Sequence, residues 1–383
     1  MLNGCMIRLI LCALCLWMPL WAGQLDVQVR AKNALLINAD TGAVLYEKGA
    51  QEVVYPASTT KLATALFLFE HKQLSLDREV TVSRKALPAE TDGSSMGLLR
   101  GEVVSVDALL HGLMLVSGND AANVLAETAS GSVEKFVHEL NFYVRELGCR
   151  NTKFFNPHGY HHPEHVTTAQ DLALLARKVL QNPLLREVVA KPSYTKPKTN
   201  KQPSTELVQT NALLRPGKHF YPKAIGLKTG GTGAAGKNLV AAATHEGRTL
   251  VAVVLGCETN AERFADAKRL FEAAFAETAV ARVVVGEGSQ YKTAVAGASG
   301  ELQARLEQNL VVQYFPAEEP KLKAYLVWDK VQLPVQKGQR VGEVRAVDER
   351  GTIVGAGTVV TMDDVSPTLW FRISSWWSGL FGN

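Results

Sequence analysis

A serine and a lysine three residues apart carry the clearest chemical signal in this sequence. The run Pro56-Ala57-Ser58-Thr59-Thr60-Lys61 leads into apolar residues at helical spacing, the last of them Phe69. A helix that begins near Ser58 would place Ser58 and Lys61 on one face, because residues three apart in a helix are neighbours. That face is also the apolar one, so Lys61 would lose solvation, which favours its neutral form and makes it a candidate base for the serine hydroxyl. The alternative interpretation of an isolated Ser-x-x-Lys is a capping serine followed by a surface lysine.

Two further short motifs follow along the chain, Ser117-Gly118-Asn119 and Lys228-Thr229-Gly230-Gly231. The first stands between two helical patterns, and taken alone it could be an inter-helix loop with an Asn cap. The second lies in a strand with so little side-chain bulk that a peptide could lie against its backbone, although taken alone it could be a glycine-rich hairpin. All three motifs in this order and at this spacing are hard to obtain by chance.

The elements that must position these motifs follow from hydrophobic periodicity. Helical patterns cover residues 61–70, 107–115, 120–147, 168–180 and 263–275, and strand-like runs cover 34–38, 239–243 and 250–255. Strands at both ends with helices between them predict a sheet flanked by helices. From Ala279 the helical periodicity fades, and short alternating runs between turn signals predict a separate small β domain that ends near Asp364.

Composition bounds the class of protein. The chain has 383 residues, enough for two domains, and its 46% hydrophobic and 20% charged residues are typical of a folded globular protein. A net charge of +4, from 41 basic and 37 acidic residues that are interspersed, excludes an electrostatic surface for nucleic acid. The mature protein contains no run of 18 apolar residues, so the sequence predicts no transmembrane span there.

Residues 1–23 have the pattern of a secretory signal. Arg8 is their sole charge, an apolar run over 9–20 follows, and small residues at 22 and 23 close the segment. A buried N-terminal helix, the alternative, would lack a polar face. The mature chain would then keep Cys149 and Cys257, for which a bridge and two free thiols both remain open. We therefore divide the chain into a signal (1–23), a catalytic domain (24–278), a small β domain (279–364) and a terminal segment (365–383), and we expect the protein outside the cytoplasm.

The three motifs resemble those of the low-molecular-mass penicillin-binding proteins that are serine-type D-alanyl-D-alanine carboxypeptidases, peptidase family S11. The resemblance runs from about Leu35 to the C terminus and is supported by segments 93–96, 154–159 and 239–255. It implies an α/β (α+β) fold: a β-lactamase/transpeptidase-like serine acyltransferase domain with an antiparallel central sheet, a small C-terminal all-β domain and a terminal amphipathic helix.

The resemblance also assigns the groups that would make and break bonds. Ser58 would be the nucleophile and Lys61 its base. Ser117 and Asn119 would relay protons and hold the substrate amide. The backbone N–H groups of Ser58 and Gly231 would form the oxyanion hole.

Substrate recognition is implied for the third motif. Lys228 and Thr229, followed by Gly230, would receive the terminal carboxylate of the substrate. Arg263 matches a family arginine near the site and would assist in binding that carboxylate. Family members often carry a bulkier polar residue where Gly231 stands, so we expect a more open pocket floor here.

The function implied is removal of the terminal D-Ala from peptidoglycan stem pentapeptides through an acyl-enzyme, with β-lactam antibiotics as covalent inhibitors. A D,D-endopeptidase acting on cross-links and a non-catalytic wall-binding protein are the alternatives. A β-lactamase fits poorly because a second domain and a tail follow.

No cofactor or metal is expected. No glycine-rich phosphate fingerprint precedes a helix, so no nucleotide is implied. Four histidines fall within eight residues, at 158, 161, 162 and 165. The adjacent pair cannot both face one ion from a helix, and no His-Glu-x-x-His motif occurs, so we do not interpret them as a zinc site.

The C-terminal segment 366–383 is predicted to attach to a membrane surface without crossing it. Pro367 suits the start of a helix, and helical spacing aligns one apolar stripe from Leu369, Ile373, Trp376, Trp377, Leu380 and Phe381. Such a helix would lie in the interface, and the resemblance favours this reading over a helix docked on its own β domain. Together with the signal, this predicts a periplasmic enzyme held peripherally on the outer face of the inner membrane.

Overall fold

The computed structural model describes residues 25–87 and 93–373. The predicted signal (1–23) and the last ten residues, which include most of the apolar stripe predicted for 366–383, lie outside the described residues. Within these ranges the helices are α1 (Lys61–Leu66), α2 (Val106–Met114), α3 (Asn119–Ser130), α4 (Val133–Glu146), α5 (Ala169–Gln181), α6 (Pro183–Ala190) and α7 (Asn260–Phe275). The strands are β1 (Asn33–Asn38), β2 (Val44–Lys48), β3 (Glu79–Thr81), β4 (Val103–Ser105), β5 (Ser193–Lys196), β6 (Thr205–Val208), β7 (Ala224–Thr232), β8 (Gly236–His245), β9 (Arg248–Cys257), β10 (Val280–Val285), β11 (Gln290–Ala294), β12 (Glu301–Leu306), β13 (Leu310–Tyr314), β14 (Lys323–Trp328), β15 (Arg340–Val347) and β16 (Ile353–Thr361).

A five-stranded sheet organises the first part of the chain. Its order is β2-β1-β9-β8-β7, and each neighbouring pair is antiparallel, as the family resemblance implies. Both faces are covered, which explains the unbroken apolar run in β9: Val251, Val253 and Leu255 pack into the core with α1 to α6, while alternate residues pack against α7. The strand β7, which carries the third motif, lies at the edge of this sheet.

Most of the predicted helices agree with helices of the structure, but the prediction of one helix over 120–147 is wrong. Gly131, with φ of +83°, ends α3 in the left-handed conformation that glycine tolerates at a helix C terminus. Ser132 then caps α4 by accepting a hydrogen bond from the Lys135 N–H. The helix α6 was not predicted, although Pro183 stands at its first position, where proline is favoured.

A second, all-β unit follows α7, and the change of sequence texture at Ala279 falls between α7 and β10. Its main sheet has the order β11-β12-β16-β15-β14, and β10 pairs with β13. These strands enclose an apolar core of their own. Arg248 of β9 ties the two units together, because its guanidinium contacts Glu318 and Glu277 and lies 3.9 Å from the centre of the Phe315 ring.

The end of the described chain leaves this β unit as a short helical stretch over 369–373. Before it, Ser366 accepts a hydrogen bond from the Ser299 N–H, and the Thr368 N–H donates to the Gly297 carbonyl. Leu369 and Trp370 are 74% and 78% exposed. In residues 25–87 and 93–373, no helix is both long and apolar enough to cross a bilayer.

The sequence left open whether Cys149 and Cys257 form a disulfide. Both are free and buried, so no bridge joins them. Burial raises the pKa of each thiol to about 12, which keeps both protonated and unreactive.

Candidate active site

Ser58 lies in a 3-10 turn, Ala57–Thr60, that runs directly into α1. Ala57 has φ of +51°, in the left-handed region that residues with side chains rarely adopt. Such backbone strain persists only where surrounding structure holds it, and it is concentrated at functional sites. The turn leaves Ser58 partly accessible while its neighbours Thr59 and Thr60 are buried.

Lys61 is fully buried, and its Nζ atom has three oxygen neighbours. It lies 3.1 Å from Ser58 Oγ, 2.7 Å from Asn119 Oδ1 and 2.7 Å from the His158 carbonyl oxygen. The amide and carbonyl oxygens can only accept, so they occupy two N–H groups. A neutral amine has two N–H groups and one lone pair, and that lone pair is left facing the Ser58 hydroxyl. The geometry therefore suits a base.

The electrostatics favour the same neutral form. Burial is the largest cause that holds the pKa of Lys61 well below its usual value, and the nearby Lys228 charge lowers it further. Asp120 acts in the opposite sense and limits the shift. At a given pH a larger fraction of Lys61 is therefore neutral, and able to accept a proton, than of an exposed lysine.

The second motif bounds the other side of the cleft. Ser117 is buried with φ of +65°, and its hydroxyl has no hydrogen-bond partner among residues 25–87 and 93–373. Asn119 begins α3, and its N–H donates to the Ser94 carbonyl. Asp120 fixes the facing loop by accepting hydrogen bonds from the N–H groups of Met96 and Leu98 and from Ser95. A buried hydroxyl without a partner is costly unless a substrate group can use it.

The third motif lies on β7, against the turn Ala57–Thr60 that carries Ser58, here called the nucleophile turn. Lys228 is fully buried, and its Nζ donates to the Thr229 carbonyl at 3.2 Å. A Cβ atom on Gly230 would stand 2.9 Å from the Pro56 carbonyl oxygen and 3.1 Å from the Ser58 nitrogen. Glycine at position 230 therefore allows the edge strand to approach Ser58 closely.

The expected openness at Gly231 fits its surroundings. This residue is exposed, and a Cβ atom there would meet its nearest neighbour, the Gly236 carbonyl oxygen, at an ordinary 3.4 Å. A side chain could therefore stand at this position, and its absence leaves room beside the site.

Arg263 of α7 is buried beside the same strand. Its Nη1 atom donates to the carbonyl oxygens of Gly230 and Asn238, at 2.9 and 3.0 Å, while its Nε has no partner within the described part of the chain. Burial and the Arg263 charge lower the pKa of Lys228 to about 7. Arg263 thus holds backbone and influences Lys228, and these contacts differ from the carboxylate contact expected from the sequence.

Several groups in the site were not singled out from the sequence. The His158 carbonyl is a ligand of Lys61. A Cβ atom on Gly159, with φ of +89°, would fall 1.9 Å from the Ala57 carbonyl oxygen. The side chain of Asn238 donates to the carbonyls of Tyr55 and Pro56 just before the turn. The glycine in Asn156-Pro157-His158-Gly159 was a visible signal, but a contact through a backbone carbonyl leaves none.

The four histidines have separate surroundings. His165 is buried and contacts Thr60, whereas the His162 ring stacks on Phe155 at 3.7 Å and the His161 ring meets Tyr55 edge-on. Across residues 25–87 and 93–373, no three His, Cys, Asp or Glu side chains are grouped as metal ligands.

A serine whose hydroxyl faces the lone pair of a desolvated lysine, beside an open edge strand, is equipped for acyl transfer through a covalent intermediate. With the antiparallel sheet between helices, this defines a serine acyltransferase of the penicillin-binding type. The family follows from comparison with known proteins. The model of the peptidase S11 family, D-alanyl-D-alanine carboxypeptidase, matches residues 21–259, and the chain belongs to this family of serine-type carboxypeptidases.

Individual relatives agree over most of the chain. D-alanyl-D-alanine carboxypeptidase DacF of Bacillus subtilis is 33% identical over 349 residues, which cover 88% of this chain and 86% of the relative. Penicillin binding protein 5 from Haemophilus influenzae is 28% identical with a TM-score of 0.65, covering 90% of this chain and 100% of that one. The Streptomyces K15 DD-transpeptidase, at 32% identity and a TM-score of 0.62, covers 66% of this chain. The expected fold, an α/β transpeptidase-like domain followed by a β domain, is confirmed.

Proposed function

We propose that this carboxypeptidase removes the terminal D-Ala from peptidoglycan stem pentapeptides through a Ser58 acyl-enzyme. The observation that carries the proposal is the surroundings of Lys61 Nζ: two short contacts to pure acceptors and a third, at 3.1 Å, to Ser58 Oγ. This is the arrangement that a neutral general base requires.

In acylation, Lys61 takes the proton of the Ser58 hydroxyl as Oγ attacks the carbonyl carbon between the two D-alanines. Backbone N–H groups of Ser58 and Gly231 stabilise the oxyanion that forms. As the C–N bond breaks, the proton passes through Ser117, whose buried hydroxyl is unpaired, to the leaving nitrogen of D-Ala. An ester on Ser58 and free D-Ala result, and Lys61 is neutral again.

In deacylation, water attacks the ester carbonyl and gives its proton to Lys61, while the Ser58 oxygen leaves and is reprotonated by Lys61. Asn119 holds the lysine between the steps through its 2.7 Å contact. Each turnover consumes one peptide bond and one water, with no other reactant.

Recognition of the free C terminus falls to β7. Lys228 and Thr229 would bind the terminal carboxylate. A bound carboxylate favours the charged form of Lys228, whose pKa of about 7 in the free enzyme leaves it close to half protonated at neutral pH. Arg263 supports this subsite through the Gly230 carbonyl and its charge.

The decisive experiment uses the purified mature chain with muropeptides and with a labelled penicillin. Wild type should release D-Ala from pentapeptides and retain penicillin covalently, and Ser58→Ala should do neither while keeping the same melting temperature. Labelling of Ser58→Ala would refute the assignment of the nucleophile. Labelling without turnover in wild type would favour a non-catalytic wall-binding protein.

The D,D-endopeptidase alternative has one observation in its favour, since Gly231 leaves the site open where a larger acceptor strand would have to fit. Cross-linked dimeric muropeptides as substrate separate the two activities. Cleavage of dimers at a rate comparable with that of pentapeptides would establish the endopeptidase activity.

We also propose export through the signal at 1–23 and attachment to the outer face of the cytoplasmic membrane by 366–383. The exposed apolar side chains of Leu369 and Trp370 support this. Since residues 366 to 368 pair with the β unit, a truncation after Thr368 removes the apolar segment without breaking those pairs. The shortened protein should appear in the soluble periplasmic fraction, and membrane association that survives both truncation and high salt would contradict the anchor.

A further inference from the structure

His165 is buried at 2% exposure, and both of its ring nitrogens are engaged. The Phe155 N–H donates to Nδ1 at 3.0 Å, so the ring proton sits on Nε2. Nε2 lies 2.8 Å from Thr60 Oγ1 and donates to it, and that hydroxyl in turn donates to the Ala57 carbonyl at 2.9 Å. A continuous chain of hydrogen bonds therefore runs from Phe155 through the imidazole to the residue before Ser58.

The backbone that follows His165 holds the other end of the same turn. Val54 and Thr167 exchange hydrogen bonds of 2.8 and 2.9 Å as an antiparallel bridge. Segment 165–167 is therefore hydrogen-bonded to Val54, before Ser58, and to Thr60, after it.

The turn needs such support because Ala57 is strained, with φ of +51°. We propose that His165 is a positioning residue that locks this turn, so that Ser58 Oγ stays in line with Lys61 and the bond to substrate forms at full rate. The His165 ring contacts Thr60 and not the partners of Lys61 Nζ, so it acts through Thr60. The inference rests on the function proposed above.

Two substitutions distinguish the role of Nδ1, which accepts from Phe155, from the role of Nε2, which donates to Thr60. In His165→Asn the short amide can still accept from the Phe155 N–H but no longer reaches Thr60. In His165→Gln the longer side chain can donate to Thr60 again. Misplacing a reacting atom by about 1 Å costs on the order of 100-fold in rate. We therefore expect His165→Asn to acylate with penicillin about 10- to 100-fold more slowly at saturation, with little change in the half-saturating concentration, and His165→Gln to restore most of the rate.

His162 offers the matched control, because it lies three residues away and its ring stacks on Phe155 and accepts a hydrogen bond from the Glu164 N–H. His162→Gln should acylate at the wild-type rate. Thr60→Val, which keeps the shape but removes the hydroxyl, should lose as much as His165→Asn, and the double variant should lose no more than either, because both break one chain.

A folded His165→Asn that acylates at the wild-type rate would overturn the proposal, and so would losses that simply add in the double variant. If His165→Asn does not fold, Thr60→Val carries the test alone, and a wild-type rate there refutes it. Failure of the proposed function is distinguishable, since wild-type protein would then either form no covalent penicillin adduct or release no D-Ala from pentapeptides.

Discussion

Replacing Lys228 by methionine separates two roles, the first proposed for this residue and the second expected from its charge near Lys61. Its ammonium group can bind the terminal carboxylate of the substrate, and its charge lowers the pKa of Lys61. Methionine keeps the length and removes the charge from a side chain that is fully buried, so the fold should survive. A matched control is Lys330→Met, an exposed lysine of the β unit.

The first role predicts a loss that depends on the substrate. A hydrogen bond to a charged group contributes about 1.5–3 kcal/mol, which corresponds to a roughly 10- to 100-fold loss of kcat/KM. Beyond any loss that both peptides share, Lys228→Met should show that loss on an acyl-D-Ala-D-Ala peptide but not on the same peptide with its C terminus amidated. Equal losses on both peptides would refute the carboxylate contact.

The second role predicts a shift in the pH profile. Lys61 must be neutral to act, so kcat/KM rises with pH through its pKa, and the base is active above that value. Removing the Lys228 charge raises the pKa of Lys61, and the acid limb moves to higher pH for both peptides. In wild type the carboxylate peptide should also show a falling limb above about pH 7, where Lys228 loses its proton, and the amidated peptide should not.

Both limbs can be measured from kcat/KM between about pH 5 and pH 10, because this ratio reports the free enzyme. An acid limb that stays in place in Lys228→Met would show that the two lysines are not coupled as the structure indicates.

Three further predictions follow from close contacts in the site and its surroundings. Gly159→Ala places a Cβ atom 1.9 Å from the Ala57 carbonyl oxygen and should slow penicillin acylation about 100-fold or more, measured by stopped-flow on folded protein. Glu102→Gln leaves Lys196 charged without its partner at full burial and should cost about 3–5 kcal/mol in the free energy of unfolding by urea titration, whereas a loss below about 1 kcal/mol would contradict the pairing. Gly231→Ser should leave the melting temperature and penicillin labelling unchanged but reduce any cleavage of cross-linked dimers, because it fills the open side of the site.

The parts of the fold and site that follow from local pattern were predictable from the sequence. Ser58 and Lys61 are one helical turn apart, so their contact needs no long-range knowledge, and the burial of Lys61 follows from the apolar face it shares. The glycines of β7 indicated a strand that a peptide could approach. Gly131 and Ser132 also indicated the end of one helix and the start of the next, but the apolar periodicity continues across them and predicted a single helix.

The remaining features depend on contacts between distant segments. The two acceptors that orient Lys61 are Asn119 Oδ1 and the carbonyl of His158, and a carbonyl has no side-chain signature. In the sequence, four nearby histidines suggest only the question of metal binding. The role inferred for His165 depends instead on the Phe155 N–H and on Thr60, which is far away in sequence. Such roles emerge only when the loop at 151–168 is folded under the nucleophile turn.

Three basic residues far apart in the sequence, Arg263, Lys228 and Lys61, influence one another in the folded protein. Arg263, held on the carbonyls of Gly230 and Asn238, adds to the effect of burial in lowering the pKa of Lys228, and the charge of Lys228 adds to the effect of burial on Lys61. Burial is the larger cause at each lysine, so the charges refine a neutralisation that desolvation begins. This order fits the proposed carboxylate subsite, where the guanidinium of Arg263 is held on backbone oxygens. Under the proposed function, Arg263 keeps the proton on Lys228 responsive to a bound carboxylate, and the charge of Lys228 in turn lowers the pKa of Lys61.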